Sequence, residues 1–380
     1  MLRKIAVITG SRAEYGLLKP VLSEIITKKT LKLELIVTGM HLSKKYGYSI
    51  QDIINDGFKI DHKFTMIPKN NTHYGMLNAL SIGIKKFGKL FQKIHPDIIL
   101  VLGDRDEVFA ATISASHLNI PIAHIHGGER TKAGIDEYNR HAITKISNIH
   151  FAATKKSYER IIRLGENPKF VFNTGSPGID DIKNKNFSSK KQLEKKYGFK
   201  FSGNDVLLVF HPVTNDLKNN FILIKKILKI IKKFKISTIA ISPNSDTGNY
   251  EINNELKKFS KINNNFKLFK NIPRNDYLGF LNNCSALIGN SSSGMIEAGY
   301  FDIIVINIGF RQDKREHGKN VITIKNSGNQ IEKEIKKCFM KKITFSKSNV
   351  YGNGNSSKKI VQVLERIPLN NKLIQKQIVY

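Results

Sequence analysis

Short apolar runs alternate with amphipathic stretches through the first half of the chain. The pattern predicts strands over Lys4–Thr9 and Leu33–Thr38 with a helix over Gly16–Lys28 between them. It then predicts a helix at Ser49–Asn55, a strand at Phe58–Met66 and a long helix at Gly75–Ile94. Further strands are expected at Ile98–Leu102, Ile122–Ile125, His150–Ala153 and Phe170–Phe172. Continuous β-rich runs bounded by glycine and separated by helices are the pattern of a parallel sheet covered on both faces. Gly175-Ser176-Pro177-Gly178 interrupts it, and a polar, lysine-rich stretch (181–203) follows. The alternation restarts with strands expected at Val206–His211, Thr238–Ser242, Phe266–Phe269, Ala286–Gly289, Ile303–Ile308 and Val321–Ile324. The helices between them are expected at Asn219–Lys233, Ile252–Phe259, Asp276–Asn283 and Gly294–Tyr300. The chain therefore reads as two α/β domains, residues 1–178 and 179–355. A last helix, Ser356–Glu365, is expected to pack back on the first domain, with the tail after Pro368 lying loose.

Length agrees with that division, since 380 residues suffice for two cores. The apolar run after Met1 ends in a glycine turn too soon for a secretory signal. No apolar stretch approaches the roughly 20 residues that cross a bilayer. A cytoplasmic protein with no membrane association is expected. The two cysteines, Cys284 and Cys338, supply neither a disulfide framework nor a metal cluster, and Cys284 reads as a buried structural thiol.

The formal charge of +31 suggests nucleic acid at first sight. Only 11 of the 62 basic residues are arginine, however, and the lysines scatter along helical faces without interleaved aromatics. A solvated surface that attracts a small anionic substrate fits better than a nucleic-acid groove.

The arginines sit instead in glycine- or acid-rich clusters. Gly10-Ser11-Arg12-Ala13-Glu14-Tyr15-Gly16 follows the first strand and opens a helix, where backbone N–H groups approach a phosphate and Arg12 forks onto it. It is not a dinucleotide-binding GxGxxG. Gly103-Asp104-Arg105-Asp106-Glu107 crowds charge at another strand end, with Asp104 either a general acid or base or a cap for the next helix. His124-Ile125-His126-Gly127-Gly128-Glu129 comes next, and strand alternation would put His124 and His126 on one face. Asp136 and Arg140 share a helical face, and His141 reads as a packing histidine. The histidine spacing matches no common zinc pattern, so no metal is expected.

In the second half, His211-Pro212 ends one predicted strand and Ser242-Pro243-Asn244-Ser245-Asp246 another. Gly289-Asn290-Ser291-Ser292-Ser293-Gly294 ends a third and opens a helix carrying Glu297, the layout of a phosphate cradle with a ribose acceptor behind it. Arg311 is placed to reach a phosphate or the base, and Arg315–Glu316 to pair at the surface.

Taken in order, these motifs resemble those of the hydrolysing UDP-N-acetylglucosamine 2-epimerases of the sialic-acid and legionaminic-acid type. The resemblance spans about residues 5–325. It implies a GT-B-like fold of two Rossmann-like domains with parallel sheets facing a central cleft, and nucleotide binding by the second domain. It further implies that Arg12 and Arg311 contact the nucleotide, Asn244 and Lys270 the uridine side, Ser291 and Ser292 the phosphates, and Glu297 the ribose, with Ser293 in the substrate- and nucleotide-binding set. Arg105 and Arg140 belong to the same substrate-binding set. Asp104 and Asp136 match acids that move protons at the sugar, and His211 a histidine near the leaving diphosphate. Where some members have glutamate in the middle of a His-Ile-Glu-Gly-Gly stretch, this chain has His126; either His126 does the proton chemistry or Glu129 substitutes. A homodimer or homotetramer and no cofactor are implied as well.

The expected reaction removes the proton on C2 of an N-acetylhexosamine while the diphosphate departs, and then adds water across the resulting 2-acetamidoglucal. A non-hydrolysing 2-epimerase, a GT-B glycosyltransferase and a nucleic-acid-binding protein are the competing readings. The substrate is either UDP-N-acetylglucosamine or a nucleotide-linked 2,4-diacetamido-6-deoxyhexose.

Overall fold

The computed structural model describes residues 2–379 except 69, 71, 133, 215, 245, 326–327 and 341–344, and only the backbone of 338–340. Ser245 and the Cys338 side chain, singled out above, lie outside the described residues. The chain forms two compact units. The first comprises Met1–Glu129, Ile135–Asn184 and Tyr351–Tyr380, and the second Arg130–Gly134 and Lys185–Val350.

The first unit is built on seven strands: β1 (Arg3–Thr9), β2 (Leu31–Val37), β3 (His62–Lys63), β4 (Ile98–Leu102), β5 (Ile122–Ile125), β6 (Ile149–Ala152) and β7 (Val171–Asn173). They lie in the order β3-β2-β1-β4-β5-β6-β7 with parallel pairing throughout. Alternate residues of β1 feed two cores. Ile5 and Val7 join Leu18, Leu22 and Leu100 on one face, whereas Ala6 and Ile8 join Phe87, Phe91 and Val101 on the other. Covering both faces is what makes the strand sequences read as unbroken apolar runs.

The second unit has six parallel strands: β8 (Val206–Val209), β9 (Thr238–Ile241), β10 (Phe266–Phe269), β11 (Ala286–Gly289), β12 (Ile304–Ile308) and β13 (Val321–Ile324). Their order is β10-β9-β8-β11-β12-β13. The α/β class with two doubly wound parallel sheets is thus as the sequence indicates. Each sheet reverses its winding at one place, between β1 and β4 and between β8 and β11. In such sheets ligands bind outside the carboxyl ends of the strands flanking that reversal. No helix among the described residues is long and apolar enough to cross a membrane.

Three expectations need correction, and the polar stretch given no element above has two helices. Phe58–Met66 is not a strand beyond His62–Lys63. It lies at the sheet edge, where the Asp61 carboxylate accepts the Leu35 N–H at 2.9 Å and the Thr38 hydroxyl donates to the Phe64 carbonyl at 2.6 Å, so side chains share the pairing with the Asp61 and Phe64 backbone N–H groups. The polar stretch 181–203 is partly helical, with Gly178–Lys183 and Lys190–Tyr197. The latter begins with a capping box in which Ser189 N donates to Gln192 Oε1 at 2.8 Å. The helix expected over Gly294–Tyr300 is two short turns, Ser293–Ile296 and Ala298–Tyr300, broken at Glu297.

Finally, the tail after Pro368 is packed. Leu373 is buried, Val379 N donates to Gly165 O at 3.0 Å, and Lys376 Nζ reaches Glu166 Oε2 at 2.6 Å. The preceding helix, Ser356–Arg366, places Ile360, Val361 and Leu364 in the core with Ile5 and Leu18. Asp180 receives its first N–H groups, from Ser356 at 3.0 Å and Ser357 at 2.8 Å.

Candidate active site

In the first unit the turn after β1 is held from inside. Ser11 caps the helix Arg12–Ile26 by accepting the Glu14 N–H at 3.4 Å, and Glu14 Oε2 accepts the Gly10 N–H at 2.7 Å. Glu14 is buried, and loss of hydration pushes its carboxyl up to about 8. The nearby Glu107 charge adds to the shift and the Gly10 hydrogen bond opposes it. A Cβ on Gly10 would lie 2.7 Å from Glu107 side-chain atoms, so only glycine admits this packing. Arg12 is ion-paired with Asp52.

After β4, Gly103 takes φ +82° and donates its N–H to Ile125 O at 3.0 Å. Asp104 is ion-paired with Arg140, whose guanidinium is only 2 % exposed and also lies 3.2 Å from Glu137. The cap position of the next helix, Asp106–His117, belongs to Arg105, so Asp104 does not cap it. Arg105 Nε donates to Glu107 Oε2 at 3.1 Å, and Asp106 accepts from Asn139 at 3.0 Å. Asp136 is half-buried in the first turn of the helix Ile135–Ile146 that carries Arg140.

The turn after β5 departs from the alternation expected of it. The strand stops at Ile125 and His126 adopts φ +66°, so the two histidines have separate partners. His124 Nε2 meets the Gly103 carbonyl at 2.7 Å. His126 Nδ1 lies 3.0 Å from Glu129 Oε1, and its Nε2 lies 2.9 Å from Ser176 Oγ. His126, Glu129 and Ser176 are all buried. The two residues weighed for one proton-moving role are therefore in contact. His141 pairs with Glu137 at 3.0 Å through Nε2 and is about one-third exposed, with its Nδ1 buried.

In the second unit, Gly289 ends β11 at φ +135°, where a Cβ would fall 1.9 Å from Val209 O; the position is closed to any other residue. That close approach brings Asn290 against β8. Its side-chain amide accepts the His211 N–H at 2.7 Å and donates to the His211 carbonyl at 2.8 Å. His211 Nδ1 accepts the Asn244 N–H at 3.2 Å, so the ring proton sits on Nε2. Asn244 also donates to Asp246, and Lys270 is exposed just past β10.

Ser291 Oγ accepts the Ser293 N–H at 3.4 Å, and Ser293 Oγ bonds Tyr277 OH. Ser292 occupies the cap position of the turn Ser293–Ile296. Glu297 is buried and ion-paired with Arg274 at 2.6 Å. Arg311 Nη1 and Gln312 Nε2 both donate to Asn290 O, at 3.4 and 2.9 Å. Arg315 is not at the surface; it is buried and donates to Gln312 Oε1 at 3.0 Å.

Sequence reasoning missed Glu14, Ser176, Arg274 and Tyr277. A Ser-x-x-Glu signal at Ser11–Glu14 marks the first. The others reach their partners from segments far away or on other elements, and nothing local announces them. Among the described residues, no three His, Cys, Asp or Glu side chains are grouped to hold a metal ion.

The chain as a whole is similar to known proteins. The chain is 36% identical over 377 residues to the UDP-N,N'-diacetylbacillosamine 2-epimerase (hydrolyzing) of Legionella pneumophila, covering 99% of each chain. It is 37% identical over 369 residues to the polysialic acid biosynthesis protein P7 of Escherichia coli, covering 96% of this chain and 94% of the other. Its fold resembles the crystal structure of the UDP-GlcNAc 2-epimerase from Neisseria meningitidis bound to UDP-GlcNAc, with TM-score 0.80, 22% identity, and 95% and 99% of the two chains covered. The family model described as UDP-N-acetylglucosamine 2-epimerase matches residues 23–365. Matched over most of its length in sequence and in both sheets, the chain belongs to the UDP-N-acetylglucosamine 2-epimerase family.

Proposed function

We propose that the chain is a hydrolysing 2-epimerase: it takes a UDP-linked 2-acetamido sugar and water, inverts C2, and releases the free manno-configured sugar and UDP. The observation that carries this reading is the set of acids at the carboxyl end of the first sheet, where Asp104 is held by Arg140 and Glu129 by His126. In this reading one of these groups removes the C2 proton as the C1–O bond to the diphosphate breaks, giving the 1,2-unsaturated sugar. Water then adds at C1 and a second group returns a proton to C2 from the opposite face. Asp136 completes the acid set. His211, with its proton on Nε2, donates to the departing diphosphate, which Arg12, Arg311 and the serines Ser291–Ser293 neutralise and hold. Glu297 and Asn244 serve the ribose and uracil, Lys270 the uridine side, and Arg105 the substrate-binding set. No cofactor is required. We place the enzyme in the cytoplasm as a homo-oligomer on the family resemblance.

For the sugar, the relative covering 99% of both chains favours a 2,4-diacetamido-6-deoxyhexose over N-acetylglucosamine. Incubation with each UDP-sugar, scored by released UDP and free sugar, decides between them. Appearance of the epimerised UDP-sugar with no free UDP rules out the hydrolysing reaction. Asp104→Asn is expected to lower kcat by roughly 100-fold or more while UDP affinity survives. Turnover close to wild type in that variant would remove Asp104 from the mechanism.

A further inference from the structure

Three acid-bearing segments of the first unit meet at one side chain that the proposed chemistry does not use. His124, on β5, is fully buried. Its Nε2 lies 2.7 Å from the carbonyl oxygen of Gly103, the residue before Asp104. A carbonyl can only accept, so Nε2 carries the proton and Nδ1 is the acceptor. Nδ1 lies 3.2 Å from Thr144 Oγ1, on the helix that carries Asp136 and Arg140. The same hydroxyl shares its one proton between Nδ1 and the Arg140 carbonyl, 2.8 Å away, and accepts the Gly128 N–H at 3.3 Å, in the turn leading to Glu129. A Cβ on Gly127 would come within 2.9 Å of Nδ1, so that turn closes directly over the ring.

We infer that His124 is a positioning residue: with Thr144 it ties the Gly103–Asp104 turn, the Arg140 helix and the Gly127–Glu129 turn into a single fixed arrangement. The Asp104–Arg140 ion pair spans two of the three segments so joined. Burial pushes the imidazole down to about 3, and the Gly103 hydrogen bond only partly opposes that. The ring therefore stays neutral and keeps one donor and one acceptor at any working pH. An apolar side chain of similar size would fill the space but release the Gly103 carbonyl. Misplacement of a reacting group by about 1 Å costs on the order of 100-fold in rate.

The inference rests on Asp104 being the proton-moving acid proposed above, and Asp104→Asn is measured alongside to separate the two. His124→Leu is expected to lower kcat by roughly 30-fold or more with KM and UDP affinity within about threefold. His124→Gln, whose amide nitrogen can still donate to Gly103, is expected to recover to within about fivefold of wild type. Thr144→Val is expected to cost about tenfold in kcat alone, and the double variant no more than His124→Leu by itself, since both break one network. Wild-type kcat in His124→Leu, with Asp104→Asn inactive, overturns the positioning role alone. Equal losses in the Gln and Leu variants overturn it too. Full activity of Asp104→Asn overturns both readings. If His124→Leu does not fold, the Gln and Thr144→Val variants decide: a loss in KM rather than kcat counts against the role.

Discussion

His41 and His124 carry no charge in the folded protein at neutral pH, because burial pushes both down to about 3. His41 is held between Thr9 and Ser49 and faces the Arg12 charge as well. Unfolded imidazoles take up protons near 6.5, so between that pH and about 3 the unfolded chain binds more protons and stability falls with acidification. Glu14 acts in the opposite sense. Unfolded, it ionises near 4.5; folded, it stays protonated to about 8, so it costs stability as pH rises through that interval. Two histidines outweigh one carboxyl below 6.5, and the carboxyl is left alone above it. The melting temperature is therefore expected to peak near pH 6.5 and decline on both sides. Glu14→Gln should flatten the alkaline limb; an unchanged decline in that variant removes Glu14 as its cause. The residues that carry these shifts were partly legible. The glycine and charge clusters fall at strand ends, as their sequence suggests, because a strand-end turn needs local, sequence-specific backbone freedom. The partners Arg274, Tyr277 and Ser176 were not, because long-range contacts leave no local period.

At the scale of elements, period and length identified the strands buried on both faces. They failed at the sheet edge around Asp61 and Thr38, where side chains share the pairing with the backbone. The lysine-rich stretch hid a helix whose Ser189–Gln192 capping box was readable but lay in a segment with few apolar residues. The C-terminal tail is the larger omission. Glu166 accepts from His150, Lys145 and Lys376, which hold its carboxyl down at about 2 despite burial. Deleting residues 369–380 removes Leu373 from the core and one of the two lysines paired with Glu166. Such a deletion is expected to destabilise the protein by roughly 2–4 kcal/mol in urea unfolding. Lys376→Met alone should cost about 1–2 kcal/mol, discounted for its partial exposure. A truncated chain as stable as the full one would mean that these contacts add nothing net.

For the whole molecule, the two α/β units were apparent in the sequence because alternation, a break and renewed alternation are global features. Which side chains converge is settled by packing, which no pattern along the chain records. The net charge of +31 belongs to this scale too. It does not specify a fold, but it sets up a field that draws in anions from beyond contact distance. With a UDP-sugar as substrate, kcat/KM is expected to fall about tenfold between 50 and 500 mM salt as the screening length shortens, while kcat holds. A kcat/KM indifferent to salt would show that capture of the substrate owes nothing to the lysine-rich surface.

The return of residues 351–380 to the first unit bears on how the protein is made. A ribosome delivers the entire second unit before it delivers the helix that carries Ile360, Val361 and Leu364. At about 5–20 residues per second the amino-terminal half waits some tens of seconds with a strip of its core unfilled. The second unit is free to fold meanwhile. The first unit is thus completed only after the second has been made, and a product stalled before residue 356 presents that open strip to chaperones and proteases.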